Sequence, residues 1–280
     1  MENKRPSGSI WLDEFFGCEV PKAFITLMNR IEVLVDGDRA RFFRFVDEVF
    51  GIARLSGFEQ RHPGTPAEFF PFGATGVDGV SYGFVIHAPE LKSGDPPLGQ
   101  YSPMDSGGIY LLGTNATEAF ENLASTQFSF EIEFEDDEIA ARIKALSNQI
   151  GLRCEMEFAN RRYTPEGNGR EIVPNIPGGW SFSPTSDGIG VLAPESMFER
   201  PTELPTNWAK ARCESNWLST ADRHFERQKF ATALVIYREL MWSGWSDREQ
   251  YPILAQRMIA LYQAMDRPAL AAVLQRMLRA

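Results

Sequence analysis

Residues 69 to 90, FFPFGATGVDGVSYGFVIHAPE, set four glycines among phenylalanine, tyrosine, valine and isoleucine. Short aromatic and β-branched runs interrupted by glycine, proline and aspartate have the composition of strands bounded by turns. Asp78-Gly79 is a hairpin-turn dipeptide, because glycine takes positive φ without a Cβ clash. The spacing predicts strands over FFPFG and VSYGFVIHA, an ATGVDGV turn between them, and a further strand at GIYLLG. His87 falls inside the second of these strands.

The same stretch argues against nucleotide chemistry. A phosphate-binding loop needs a lysine at its end to reach the phosphates. None lies between Gly73 and Gly79, where Asp78 would repel phosphate. The dinucleotide fingerprint G-x-G-x-x-G is missing from it as well. Asp78 is expected to accept backbone N–H bonds in its turn rather than protons from a substrate.

Helical patterns flank this region. VPKAFITLMNRIEVLV (20–35) repeats apolar residues at helical spacing with Pro21 in the first turn, and Asp38 can cap a second helix striped by Phe42, Phe45, Val46, Val49 and Phe50. TNATEAFENLAS reads as a helix capped by Asn115, with Glu118 three residues on. FSFEIEF (128–134) alternates strictly, which predicts a half-buried strand with Glu131 and Glu133 on its outer face. EDDEIAARIKALSNQIG then suits a helix with acids in its first turn and Gly151 at its end. CEMEFA is expected as another strand, residues 164–179 as a loop, and WSFSPTSDGIGVLAPESMF as strand and turn. DGIGVLAPE (187–195) echoes DGVSYGFVIHAPE in shortened form; two similar strand-after-turn solutions explain it more simply than a duplication.

From about residue 206 glycine nearly vanishes and four helical patterns follow. Trp217, Ala221, Phe225, Phe230, Ala233 and Tyr237 have the spacing of a two-helix hairpin, with aromatics in the groove and small residues at the close approach. The pair resembles a tetratricopeptide-type hairpin, with Gln228 where such hairpins often turn on glycine. A second pair has Asp266 and Pro268 at its junction. Two hairpins are few for a freestanding solenoid, so the tail is expected to pack against preceding chain.

Charge and chemistry narrow the function classes. The 280 residues carry a formal net charge of −10, and residues 1–205 hold 31 acidic and 17 basic side chains. That part would repel nucleic acid and attract a basic protein. The three cysteines, Cys18, Cys154 and Cys213, are scattered, which argues against a disulfide framework or zinc site. His62, His87 and His224 lack metal-ligand spacing and are expected to be structural or solvated. No nucleophile elbow or catalytic cysteine context occurs, so no catalytic residue, cofactor or metal is expected. With neither a spanning apolar run nor a secretory signal core, a cytoplasmic location is expected, with no membrane partner.

With these pieces in order, the chain resembles the SUKH superfamily, which includes fungal cell-wall-synthesis regulators and bacterial immunity proteins. The resemblance rests on Pro71, Phe72, Gly73, Gly76, Asp78, Gly79, Tyr82, Gly83 and Phe84, then Gly113 and Asn115. It covers residues 15–125. It implies an α+β fold, a mixed or antiparallel sheet packed with helices, and a protein-binding role without catalytic residues. The expected domains are 1–205, SUKH-like with an extension over 128–205, and 206–280, the tetratricopeptide-like tail. The expected function is neutralisation of a toxin partner of basic character, through the acids Glu131, Glu133, Glu135, Asp136 and Asp137. The alternative is an intracellular scaffold or regulator that holds its partner through the tail.

Overall fold

A computed structural model of the chain describes residues 20–55, 61, 64–76, 78–91, 95–103, 108–162, 176–199, 216–244 and 249–279. The fold is α+β, with a five-stranded antiparallel sheet, a two-stranded hairpin and eight helices among the described residues. Two compact units share it. Unit 1 comprises residues 1–61, 70–85 and 93–164, and unit 2 comprises 62–69, 86–92 and 165–280. The expected domain boundary at 205/206 lies outside the described residues, as do His62, Cys18 and Cys213.

Unit 1 opens with α1 (Lys22–Leu34) and α2 (Arg39–Phe50). Pro21 is the residue before the first turn of α1, and the Asp38 carboxylate caps α2 by accepting from the backbone N–H groups of Ala40 and Arg41. The sheet is a meander in sequence order: β1 (Arg54–Leu55), β2 (Phe69–Ala74), β3 (Ser81–Val85), β4 (Leu98–Tyr101) and β5 (Ile109–Gly113). Asp78 (φ 53°) and Gly79 (φ 67°) both turn through left-handed conformations between β2 and β3. Across this connection the Thr75 N–H donates to the Val80 carbonyl at 3.2 Å. Strand β3 stops at Val85, so His87 lies beyond it rather than within it. Strands β1 and β4 have no counterpart among the expected strands; LGQY is too short and too glycine-diluted to stand out.

The core of unit 1 is aromatic. Phe24 of α1 packs against Phe72 of β2 and Phe84 of β3 with ring centroids 5.0 and 5.1 Å away. Phe120 closes the cluster and contacts Phe50 of α2 at 4.8 Å. Phe120 belongs to α3 (Ala116–Glu133), which leaves β5 directly: a Cβ at Gly113 would overlap the Ala119 backbone. Asn115 caps α3 by accepting from the Glu118 N–H, and Glu118 reaches back to the N–H and hydroxyl of Thr114.

Helix α3 corrects one expectation outright. FSFEIEF is not a strand; it forms the last two turns of α3 and its C-cap. The capped start nucleates a helix that propagates at low cost per residue, and a seven-residue alternation does not outweigh it. Helix α4 (Asp137–Gln149) follows, capped by Asp136 and ended by Gly151 in a left-handed conformation. CEMEFA is not a strand either. Its first residues are irregular and Met156–Phe158 make one 3-10 turn. The Ser125 hydroxyl accepts the Glu155 N–H, so this segment pairs with α3 rather than with a sheet.

In unit 2, β6 (Trp180–Ser183) and β7 (Val191–Pro194) form the antiparallel hairpin. Helices α5 (Trp217–Glu226), α6 (Phe230–Gly244), α7 (Gln250–Ala264) and α8 (Pro268–Met277) pack in succession, and α6 lies against β7. Gln228 (φ 61°) and Asp266 (φ 58°) adopt the left-handed conformation that glycine usually supplies at a helix end. The tail thus keeps the hairpin layout without the glycine. Trp217 is half-buried, while the described side chains of α6 from Ala231 to Met241 are all buried.

Candidate functional site

The five acids singled out by sequence do come together, though at the corner between α3 and α4 rather than on a sheet. Glu131 and Glu133 ride the last turn of α3, Glu135 and Asp136 make the turn, and Asp137 begins α4. The backbone N–H of Asp136 bonds the Glu131 carbonyl (2.9 Å) and that of Glu135 bonds the Ile132 carbonyl (3.1 Å). This is a Schellman ending, with Glu135 at φ 62° in the position that favours glycine. The Asp136 carboxylate accepts from the Ile139 N–H at 3.1 Å, so one of the five acids is committed to the backbone. Glu133, Glu135 and Asp137 are exposed, and Glu131 is half-exposed.

The sequence reading missed what stands among these acids. Phe130, Ile132 and Phe134 are 52%, 39% and 66% exposed, half of the six large hydrophobic side chains exposed among the described residues. The strand reading had placed them on a buried face. In the helix, Phe130 and Phe134 are four apart and stack on one another, ring centroids 4.5 Å apart. No lysine or arginine occurs between Asn115 and Ala141. The nearest cations are already engaged: Arg142 pairs with Glu48, and the Lys144 ammonium lies 5.4 Å over the Phe128 ring.

Unit 2 uses its charges in the opposite way. Arg238 of α6 is almost fully buried and forks onto Asp187 through Nε and Nη2 at 2.8 and 2.6 Å. Its Nη1 donates to the Gly190 carbonyl (2.5 Å) and lies 3.4 Å from Glu68. Asp187 also accepts from the Thr185 hydroxyl and the Ile189 N–H, and the Tyr262 hydroxyl donates to Glu68 at 2.8 Å. Arg267 donates to Glu90 (2.9 Å) and to the Leu192 carbonyl (2.8 Å). Burial would draw the Arg238 guanidinium down, but Asp187 and Glu68 carry it net upward.

His87, His224 and Glu239 each also have a close polar neighbour. His87 Nε2 donates to the Ile189 carbonyl at 2.8 Å, and burial lowers its pKa to about 4. His224 pairs with Glu199 at 2.7 Å. Glu239 accepts the Ser186 N–H, with burial raising its pKa. In unit 1, Arg153 grips the buried Glu121 through Nε and Nη2 at 3.0 and 2.7 Å. Burial pushes the Cys154 thiol up, away from the thiolate that a nucleophile needs. No cluster of three metal-ligating side chains occurs among the described residues.

The remaining motif residues are architectural. Pro71, Phe72 and Gly73 lie in β2, Gly76, Asp78 and Gly79 in or beside the exposed turn, and Tyr82 and Gly83 in β3. The echo at Asp187 is real as local geometry, since both segments run from a turn through a strand to a 3-10 turn. Asp78 is exposed, however, whereas Asp187 is a buried ion-pair partner. Arg238 and Glu239 had a signal that went unread. They sit in ATALVIYRELMW, a helix apolar all round, where any charge must be buried and paired.

No family model matches the chain, and no curated protein matches it. No described helix is long and apolar enough to cross a membrane.

Proposed function

We propose that this chain is a non-enzymatic protein-binding protein, an immunity-type member of the SUKH superfamily that acts in the cytoplasm by neutralising a basic toxin. The observation that supports this most is the α3–α4 corner, where Phe130, Ile132 and Phe134 lie exposed among acids without a base in the segment. Exposed apolar clusters rimmed by polar residues mark interaction sites, and a rim of one sign selects a partner of the other. The buried titratable groups described above are held by partners within their own unit, a use of charge that suits folding more than turnover.

Affinity capture on the intact chain, from cells of its source at low ionic strength, should retain one basic protein. Raising the salt should release it as the Debye length shrinks. Co-expression of the chain should relieve that protein's toxicity. Recovery of no basic partner, or a partner whose toxicity the chain does not relieve, would sink the reading. The alternative, a scaffold that holds its partner through α5–α8, predicts a complex indifferent to changes at the acidic corner.

A further inference from the structure

Some of the protein's rings lie beneath its own cations. Arg39 lies 5.5 Å from the Phe43 ring centroid, Lys144 5.4 Å from Phe128 and Arg162 5.0 Å from Tyr110. Phe158 is held between two guanidiniums, Arg153 at 4.3 Å and Arg161 at 4.5 Å. Guanidinium and ammonium groups bind ring faces through the aromatic quadrupole, most strongly where water is excluded. Phe130 and Phe134 stack on one another and are more than half exposed, with no cation placed over either among the described residues.

We infer that the Phe130–Phe134 pair is the anchor for an arginine side chain of the partner, with Glu131, Glu133 and Glu135 receiving its charge. This rests on the binding-protein reading and names the chemistry that the corner recognises. Glu133 sits three residues on from Phe130, on the adjacent helical row, and Glu131 and Glu135 are the chain neighbours of the two rings. An arginine can stack its plane on a ring while its N–H fork reaches a carboxylate, whereas a lysine offers only a point charge. A second copy of the chain is a poor occupant, because a self-complementary contact would press the two acidic rims together.

The test uses the full chain and two labelled peptides of equal charge, one alternating arginine with glycine and one alternating lysine with glycine. Fluorescence anisotropy at low and moderate salt should show the arginine peptide binding more tightly. The double variants Phe130→Ala/Phe134→Ala and Phe130→Leu/Phe134→Leu should each weaken it about tenfold, since leucine keeps apolar area but has no ring face. Glu131→Gln/Glu133→Gln should flatten the salt dependence. All substituted side chains are exposed or half-exposed, and unchanged melting curves would confirm that the variants fold.

The inference is overturned if the natural chain binds neither peptide, if it does not prefer arginine, or if the leucine variant binds as well as the natural chain. It is also overturned if the chain self-associates through these rings. A toxic partner captured equally well by the phenylalanine variants overturns it while leaving the binding-protein reading intact. Ring-dependent arginine binding with no partner in the cell supports it and counts against that reading.

Discussion

The α3–α4 corner of unit 1 and the Arg238 cluster of unit 2 are both dense in charge, yet they solve opposite problems. At the corner, acids gather without bases and, Asp136 apart, remain in water, where mutual repulsion is screened. In the cluster, Glu68, Asp187, Arg238 and Arg267 have left water, so each charge has to be matched by an opposite charge or a hydrogen bond. Charge that is solvated and unmatched is available to a partner. Charge that is buried and matched has been committed to the fold. Substitution should therefore damage stability at the Arg238 cluster and recognition at the α3–α4 corner.

The largest effect tests that division at Arg238. Replacing Arg238 with Met removes the fork on Asp187 and leaves two buried carboxylates facing an apolar side chain. Breaking a buried pair from one side costs about 3–5 kcal/mol, so thermal or denaturant unfolding should show a loss of that size. Adding Asp187→Asn and Glu68→Gln should recover part of it, because those carboxylates would no longer be ionised. A loss near zero would mean that the cluster is hydrated enough to tolerate unmatched charge, and the contrast with the corner would collapse.

A second test uses pH. His87 is neutral and donates to the Ile189 carbonyl, and the groups facing it are Arg238, Arg267 and Asp187, with the Phe182 ring 5.8 Å away. Its pKa falls from 6.5 to about 4, chiefly through burial, with the two arginines adding to the effect. A lowered folded pKa means that its contribution is fully present above pH 6.5 and is lost as pH falls toward 4. The span corresponds to about 3 kcal/mol. Glu239, raised by burial, runs the other way, since the folded state takes up its proton more readily as pH falls. His87→Gln keeps an N–H for the carbonyl and does not titrate. The difference between the two pH–stability profiles isolates the histidine, and profiles that stay parallel from pH 7 to 4 would refute its role.

These contrasts explain what could be read in the chain. Caps and turns were legible because their signals are local: Asp38 and Asn115 bond the first turns of their own helices, and Asp78-Gly79 turns its own hairpin. The corner was half legible. Its acids were found, but alternation over FSFEIEF suggested a strand because a seven-residue pattern carries no record of the helix cap thirteen residues upstream. The ion cluster was scarcely legible because its members come from residues 68, 90, 187, 238 and 267, and no local pattern pairs positions that distant. Only the incongruity of Arg238 and Glu239 in an apolar helix pointed to it.

The smaller effects fall on unit 1, where the comparison predicts that stability and recognition separate. Asn115→Ala removes the cap that commits FSFEIEF to the helix and should cost about 1 kcal/mol in unfolding measurements. Glu135→Gly should act in the opposite direction. Glu135 occupies a left-handed conformation at the Schellman position, where a Cβ is a liability and glycine has none. Relief of that strain should exceed the added freedom of the unfolded chain, giving a net stabilisation of about 0.5 kcal/mol. The same change deletes one acid from the rim beside Phe134, so binding to a cationic peptide should weaken modestly while the melting temperature rises. A variant both more stable and equally tight in binding would show that Glu135 serves only the turn, narrowing the rim to Glu131 and Glu133. If stability falls, the Glu135 side chain must hold the corner together, and solvated charge in unit 1 would then serve the fold as buried charge does in unit 2.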